Sequence, residues 1–120
     1  METGFIRTNI HKGVAYVSFS HPASNSFPSS LLAKLVTELE QCDLNQDVKI
    51  IVLKSEGTST FCAGASFDEL LQIATFEQGT RFFSGFANVI NAMKNCSKLI
   101  IGRVHGKAVG GGVGLAAACD

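Results

Sequence analysis

Short apolar runs divide the chain into segments that are typical of β-strands. Residues 5–20 predict two strands with a break at Lys12 and Gly13, and the second strand is rich in β-branched and aromatic residues. Residues 49–54 and 99–104 form two further apolar runs that are short and continuous. Such runs are typical of strands covered on both faces, so we expect both to be buried within a sheet.

The segments between these strands carry apolar residues at helical spacing. One apolar stripe follows Pro28, which we expect in the first turn of a helix with Ser29 or Ser30 as its cap. Its members are Leu31, Leu32, Leu35, Val36 and Leu39. Further helices are predicted over residues 67–73, 80–93 and 111–119. Because strands alternate with helices and no linker or repeat divides the chain, we expect one domain of the α/β class.

The charge and hydropathy of the chain exclude several classes of partner. Its 120 residues carry 10 basic and 10 acidic side chains, and the isoelectric point is about 6.8. This balance argues against binding to nucleic acid or to an anionic membrane surface through bulk charge. No apolar run reaches the roughly 18 residues of a membrane span, so we expect no membrane partner.

The cysteines indicate a reducing compartment. All four are widely spaced with no C-x-x-C pair, which fits neither a zinc site nor a dense disulfide framework. We therefore expect buried, reduced thiols and no metal. Residues 1–5 lack the basic and apolar regions of a secretory leader. Together these features predict a cytoplasmic location or an organelle matrix.

Two glycine-rich segments share one construction and are the candidate functional loops. The first glycine loop (residues 61–66) and the second glycine loop (residues 109–114) each follow a predicted strand and precede a predicted helix. Small residues let the backbone approach a ligand closely, and the start of the next helix presents unpaired N–H groups with partial positive charge. Both loops are therefore suited to hold an anion, and two donors on one oxygen would form an oxyanion hole.

The same glycines admit two other interpretations. They could simply allow tight turns and close helix packing. Residues 112–117 also fit the G-x-G-x-x-A pattern of a dinucleotide site, but residues 105–108 separate it from its strand, and the chain ends before the required acidic residue. Gly106 and Lys107 lack the upstream glycine and the following hydroxyl residue of a P-loop. We therefore disfavour nucleotide binding.

Both loops resemble those of the enoyl-CoA hydratase/isomerase (crotonase) family. Residues 61–65 resemble the family's F-C-A-G-A-D loop, and residues 104–112 resemble its V-N/H-G-x-A-x-G-G-G loop. The strand over residues 13–19, the turn over residues 22–25 and the Cys-Asp pair at 119–120 extend the resemblance over nearly the whole chain.

The resemblance implies a spiral of ββα units. Residues 1–120 would be the N-terminal part of a single crotonase-like domain, truncated before its C-terminal helices. The implied substrate is an acyl-CoA thioester, with coenzyme A as part of the substrate and no separate cofactor, and the full-length protein would be a homotrimer or hexamer. The backbone N–H groups of Ala65 and Gly111 match the family's oxyanion-hole donors. The residues matching its substrate-binding positions are Ala63, Gly64, Gly110 and Gly112.

One departure from the family pattern concerns proton transfer. Typical hydratases use two glutamates as general acid and base. Gly114 stands at the position of the first, and the second lies beyond Asp120. Because Gly114 cannot transfer a proton, we expect little hydration by residues 1–120 alone. The resemblance favours an enoyl-CoA hydratase for the full-length protein; the alternatives are an isomerase, thioester hydrolase or dehalogenase of the family, or a non-catalytic acyl-CoA-binding fragment.

Other polar and aromatic side chains near the loops have simpler interpretations. Asp68 and Glu69 are expected to cap and compensate a helix start. We expect His105 to make a scaffold hydrogen bond and Lys107 to be an exposed loop residue. Three aromatic residues at helical spacing belong either to the core, which we favour, or to an acyl pocket. They are Phe82, Phe83 and Phe86.

Overall fold

The computed structural model describes residues 4–120. Residues 1–3, on which part of the expectation about a secretory leader rests, lie outside the described residues. The strands are β1 (Phe5–His11), β2 (Val14–Ser20), β3 (Ile50–Ser55), β4 (Thr60–Cys62), β5 (Leu99–Gly102) and β6 (Lys107–Ala108). The helices are α1 (Ser29–Leu44), α2 (Phe67–Leu71), α3 (Phe76–Asn95) and α4 (Gly111–Ala117). The predicted α/β class is confirmed.

The strands form two sheets, one of four strands and one of two. The large sheet has the strand order β1-β2-β3-β5; β1 and β2 are antiparallel, whereas β3 is parallel to both β2 and β5. The small sheet pairs β4 with β6 in parallel, and an isolated parallel bridge joins Phe27 to Ala65. Successive turns of the chain therefore add a strand to each sheet and then a helix, which is the predicted spiral of ββα units.

The core lies between the large sheet, the small sheet and helices α1 and α3. Val17, Leu53 and Ile100 are fully buried members of it on the large sheet. The predicted stripe of α1 is confirmed, because its four leucines are buried and Val36 is half-buried. Helix α3 approaches α1 closely at Gly85, where a Cβ atom would lie only 2.6 Å from Leu32 Cδ1.

The prediction that both apolar strands are covered on two faces is wrong for β5 and only partly right for β3. Strand β3 alternates fully buried residues such as Leu53 with half-buried ones. In β5, Ile100 is buried, whereas Leu99 and Ile101 are 58% and 50% exposed. The described helices and the small sheet pack against one face of the large sheet. A continuous apolar run does not reveal which face lacks a partner.

The predicted serine cap of α1 is also wrong. Pro28 is the N-cap residue, and its side chain makes no cap hydrogen bond. Instead, the Glu69 carboxylate accepts hydrogen bonds from the Ser29 N–H (3.0 Å) and from the Ser29 hydroxyl (2.8 Å). The start of α1 is thus capped by a residue 40 positions later in the sequence. Helix α3 begins earlier than expected, because Thr75 and Gln78 form a capping box there.

Neither a membrane span nor a metal cluster is found within residues 4–120. No helix there is long and apolar enough to cross a bilayer, and no three His, Cys, Asp or Glu side chains are grouped to hold a metal ion. All four cysteines are free thiols, and each is buried or half-buried. Burial raises the pKa of the Cys62 thiol to about 11, so this thiol is protonated and unreactive at neutral pH.

Asn25 ties the turn after β2 to the connection between β3 and β4. Its side-chain Nδ2 donates to the carbonyl oxygens of Glu56 (2.8 Å) and Thr60 (2.9 Å), and its Oδ1 accepts from the His21 N–H (3.0 Å). The residue is buried and has a left-handed φ of 58°, a conformation that asparagine tolerates better than most residues. This turn leads directly into Phe27, so Asn25 helps to place the segment on which the first glycine loop rests.

We predict that Asn25→Ala lowers the free energy of unfolding by about 2–4 kcal/mol, because it leaves two carbonyl groups and one amide without a partner. The measurement is urea denaturation followed by circular dichroism. Ser24→Ala is the matched control: Ser24 has a similar φ of 56° but is exposed, so its replacement should change stability little. Equal losses for the two variants would contradict the assigned role of Asn25.

Candidate active site

The two glycine loops meet at Gly64. Its φ of +96° lies in the region that favours glycine. A Cβ atom at this position would lie 3.0 Å from the Val109 carbonyl oxygen and 3.3 Å from the Gly111 nitrogen. The same atom would lie 3.7 Å from Gly110 Cα. The loops therefore touch backbone to backbone, and a side chain on Gly64 would hold them apart.

Phe27 fixes the first glycine loop from the other side. Its N–H donates to the Gly64 carbonyl oxygen (2.8 Å), and its carbonyl oxygen accepts from the Ser66 N–H (2.9 Å). Because a peptide is planar and trans, the N–H of Ala65 points opposite to the Gly64 carbonyl and hence away from Phe27. Cys62 Sγ accepts the Gly64 N–H at 3.4 Å, which occupies the neighbouring donor.

The second glycine loop rests on β4. The Val109 N–H donates to the Cys62 carbonyl oxygen (2.9 Å), and Gly110 then takes φ 56° and ψ −126°, a combination that only glycine adopts readily. Helix α4 begins immediately afterwards at Gly111. At Gly112 a Cβ atom would overlap the Cys62 carbonyl oxygen and lie 2.9 Å from Cys62 Cβ. The glycine at 112 therefore lets α4 pack directly on β4.

Two backbone donors of these loops are left without an acceptor. Neither the Ala65 N–H nor the Gly111 N–H makes a hydrogen bond to any of the residues that the structure describes. Gly111 is the first residue of α4, so its N–H is one of the donors that a helix cannot pair internally. Both positions are half-buried, as is Ala63, which follows β4, whereas Gly110 is exposed. Two unpaired, partly shielded donors are what binding of a carbonyl oxygen or oxyanion requires.

Two phenylalanines link the loops through their side chains. The ring of Phe86 lies against Gly111, where a Cβ atom would be 2.7 Å from its Cε2. The same ring meets the ring of Phe27 edge to face, with centroids 5.8 Å apart. Phe82 is buried as expected, but Phe83 is 70% exposed, so the favoured placement of the aromatic group in the core is wrong for Phe83. Phe86 packs against the core and borders the site at once.

Side chains able to transfer a proton are scarce around the two donors. Gly114 offers none; a Cβ atom there would lie 3.4 Å from Ile90 Cδ1, and it would meet no other described residue within 4 Å apart from its chain neighbours and the backbone of its own helix. The Glu69 carboxylate is engaged by Ser29, and Asp68 is exposed. Their predicted place in the first turn of α2 is confirmed, but the predicted capping of that helix is wrong, because Ser66 is its cap and the Glu69 side chain bonds Ser29 of α1.

The predicted scaffold hydrogen bond of His105 is wrong. Both ring nitrogens are buried and have no partner among residues 4–120, because no polar group of this part of the chain reaches them. The expectation for Lys107 is confirmed, since this residue is exposed.

Phe27 was not predicted to contribute to the site, and Ser29 was predicted only as a helix cap and not as the partner of Glu69. Neither belongs to a recognisable motif. The only local signal was an aromatic residue and a serine on either side of Pro28, and their partners lie far along the chain.

We predict that Gly112→Ala lowers the free energy of unfolding by at least about 2 kcal/mol, because the added methyl group must displace α4 from the β4 backbone. Gly114→Ala is the control on the same helix; its Cβ has room, and alanine favours a helix by about 0.5–1 kcal/mol over glycine. Chemical denaturation of both variants tests this. A Gly112→Ala chain as stable as Gly114→Ala would refute the packing argument.

A family model and similar curated proteins all indicate the same family. The model of the enoyl-CoA hydratase/isomerase family matches residues 9–120. The peroxisomal Delta(3,5)-Delta(2,4)-dienoyl-CoA isomerase of Arabidopsis thaliana is 30% identical over 96% of this chain and 45% of its own length. A probable enoyl-CoA hydratase of Bacillus subtilis is 31% identical over 88% of this chain and 41% of its own length. The human mitochondrial methylglutaconyl-CoA hydratase is 34% identical over 80% of this chain and 28% of its own length.

Solved structures agree with these matches. A crystal structure of an enoyl-CoA hydratase/isomerase family member has a TM-score of 0.85 and 31% identity, covering 98% of this chain and 46% of the other. The enoyl-CoA hydratase of Bacillus anthracis has a TM-score of 0.89 and 26% identity, covering 96% and 45%. The chain spans less than half the length of these relatives and has their crotonase fold over that span. It belongs to the enoyl-CoA hydratase/isomerase family.

Proposed function

We propose that the chain binds an acyl-CoA thioester and that the N–H groups of Ala65 and Gly111 donate to its carbonyl oxygen. In a reaction that removes or adds a proton next to this carbonyl, the oxygen gains negative charge as an enolate. Preorganised donors favour that charge without having to reorient, and removal of one such donor typically costs about 3–4 kcal/mol in transition-state stabilisation.

The observation that carries this proposal is the pair of unpaired amides on two loops in backbone contact at Gly64. The helix dipole of α4 adds partial positive charge at Gly111. Ala63, Gly64, Gly110 and Gly112 surround the two donors in sequence and are proposed to receive the thioester and the adjoining part of coenzyme A. Gly110 is exposed and Ala63 half-buried, whereas Gly64 and Gly112 are buried and keep the two loops close together.

For the full-length protein we propose enoyl-CoA hydratase activity, by analogy with relatives named as hydratases. Gly114 favours a second candidate, in which another family reaction such as isomerisation or thioester hydrolysis uses a single acid/base. One relative is named as an isomerase and another, from Geobacter metallireducens, as a 6-oxocyclohex-1-ene-1-carbonyl-CoA hydrolase. In either case we propose that the acid/base comes from outside residues 4–120, and without it the chain would be an acyl-CoA-binding fragment.

Assembly and location of the full-length protein stay predictions. We expect a homotrimer or hexamer and a cytoplasmic location, while relatives are named as peroxisomal or mitochondrial. We expect no nucleic acid or membrane partner, and no cofactor beyond the coenzyme A of the substrate.

We predict that binding to this chain moves the absorption band of cinnamoyl-CoA to longer wavelength, because hydrogen bonds to the carbonyl oxygen draw electron density along the conjugated system. The amide of Gly111 is removed by Gly111→Pro, combined with Phe86→Ala to make room for the ring. This double variant should lose half or more of the shift and bind up to about tenfold more weakly, as expected for one hydrogen bond.

The matched control is Phe86→Ala with Gly111→Ala. It has the same cavity left by Phe86 and also replaces glycine by a residue with a side chain, but it keeps the N–H group. It should retain most of the spectral shift. Equal shifts for the proline and alanine variants would show that the Gly111 amide does not reach the carbonyl oxygen, and an unshifted band on binding would contradict the proposed oxyanion site as a whole.

We further predict no detectable hydration of crotonyl-CoA by the 120-residue chain, because no proton-transferring side chain stands at position 114 and general acid–base catalysis supplies about 10²–10⁴-fold of rate. The assay follows loss of the enoyl absorbance, with a full-length hydratase run in parallel. Measurable turnover by the chain would mean that a residue within it transfers the proton.

A further inference from the structure

We propose that Glu69 is a positioning residue that holds the Ala65 amide in its donating direction. The inference rests on the proposed function only where it concerns the thioester; the positioning itself concerns the free chain. Glu69 does not touch the candidate oxyanion position. It acts through the segments on either side of Ala65.

Helix α2, which follows the first glycine loop, has almost nothing else to hold it. It is five residues long and none of them is buried. Its large apolar residues Phe67 and Leu71 are 69% and 71% exposed. Within the part of the chain described, the Glu69 carboxylate makes the only side-chain hydrogen bonds from α2 to another element.

Those bonds go to the first residue of α1. Glu69 Oε1 accepts from both the N–H and the hydroxyl of Ser29, at 3.0 and 2.8 Å. A carboxylate at this point is also favoured by the dipole of the 16-residue helix α1, whose own cap residue, Pro28, supplies no side-chain acceptor. The contact is therefore charge-assisted, which makes it stronger and more directional than a neutral one.

The contacts of Glu69 close a ring around Ala65. On one side, Phe27 is bonded to the Gly64 carbonyl and to the Ser66 N–H. On the other side, Ser66 Oγ accepts the Glu69 N–H at 3.2 Å while the Glu69 side chain holds Ser29, two residues after Phe27. Ala65 lies between these two attachments. With the Glu69 attachment removed, α2 is free to pivot about the Phe27 bridge and to turn the Gly64–Ala65 peptide with it.

Asp68 provides a matched control for charge and position. It is the neighbouring residue in the same first turn of α2, it is also acidic, and it is exposed with no side-chain hydrogen bond to the described residues. Asp68→Ala removes a charge from the helix start without opening the ring. Glu69→Gln keeps an acceptor oxygen for Ser29 and removes only the charge.

The experiment compares the wild-type chain with Glu69→Ala, Glu69→Gln and Asp68→Ala by two readouts. The first is the amide signal of Ala65 in the ¹⁵N–¹H spectrum of the free chain, with the Gly111 amide as internal reference. The second is the spectral shift of cinnamoyl-CoA at saturation, which reports carbonyl polarisation per bound ligand rather than affinity.

We expect Glu69→Ala to move or broaden the Ala65 signal, to leave the Gly111 signal in place and to reduce the spectral shift at saturation by half or more. Glu69→Gln should restore most of both, and Asp68→Ala should resemble wild type. An unchanged Ala65 signal in Glu69→Ala overturns the inference. If Glu69→Ala does not fold, Ser29→Ala, which removes one of the two donors, replaces it with the same expected direction. A wild-type chain that binds without a spectral shift overturns the proposed function, while the Ala65 signal still decides the positioning.

Discussion

The direction of the first donor depends on one hydrogen bond, from the Phe27 N–H to the Gly64 carbonyl, with which the proposed positioning by Glu69 cooperates. Since the peptide is planar, fixing that carbonyl on one side aims the Ala65 N–H at the other. The ring of the same phenylalanine reaches Phe86, which lies against Gly111. A single residue before α1 thus fixes the first donor through its backbone and supports the second through its side chain.

The second requirement of the site is glycine at the contacts between the loops, because the two backbones lie too close together for a side chain to fit between them. Gly64 brings the first loop against the second, and Gly112 lets α4 lie directly on β4. Each glycine loses more backbone entropy on folding than another residue would, which lowers stability. That cost is offset by core packing behind the loops, where Phe61 and Leu115 are fully buried. The flexible residues therefore sit in a rigid frame, which is the condition for preorganised donors.

The order of elements and the two loops could be predicted from the sequence because they depend on local patterns: apolar spacing, turn residues and glycine clusters. The features that were predicted wrongly depend on residues that are distant in the sequence. Leu99 and Ile101 belong to an apolar run, yet their exposure depends on what else packs on the sheet. Ser29 is bonded by Glu69, 40 residues away, and no pattern within either segment signals that pairing. His105 lies in a motif whose sequence does not reveal what surrounds its ring.

The absence of a side chain at Gly114 has a consequence for how such a protein can change over evolution. The proposed polarising groups are main-chain atoms, which among the standard substitutions only proline deletes, whereas position 114 on α4 carries no side chain and an added Cβ atom there would meet Ile90. In the proposed function, polarisation of the carbonyl and transfer of the proton therefore depend on different groups, which can change independently. Under the proposed function, a change of one codon on α4 would alter the transfer of protons while the two backbone donors stayed in place.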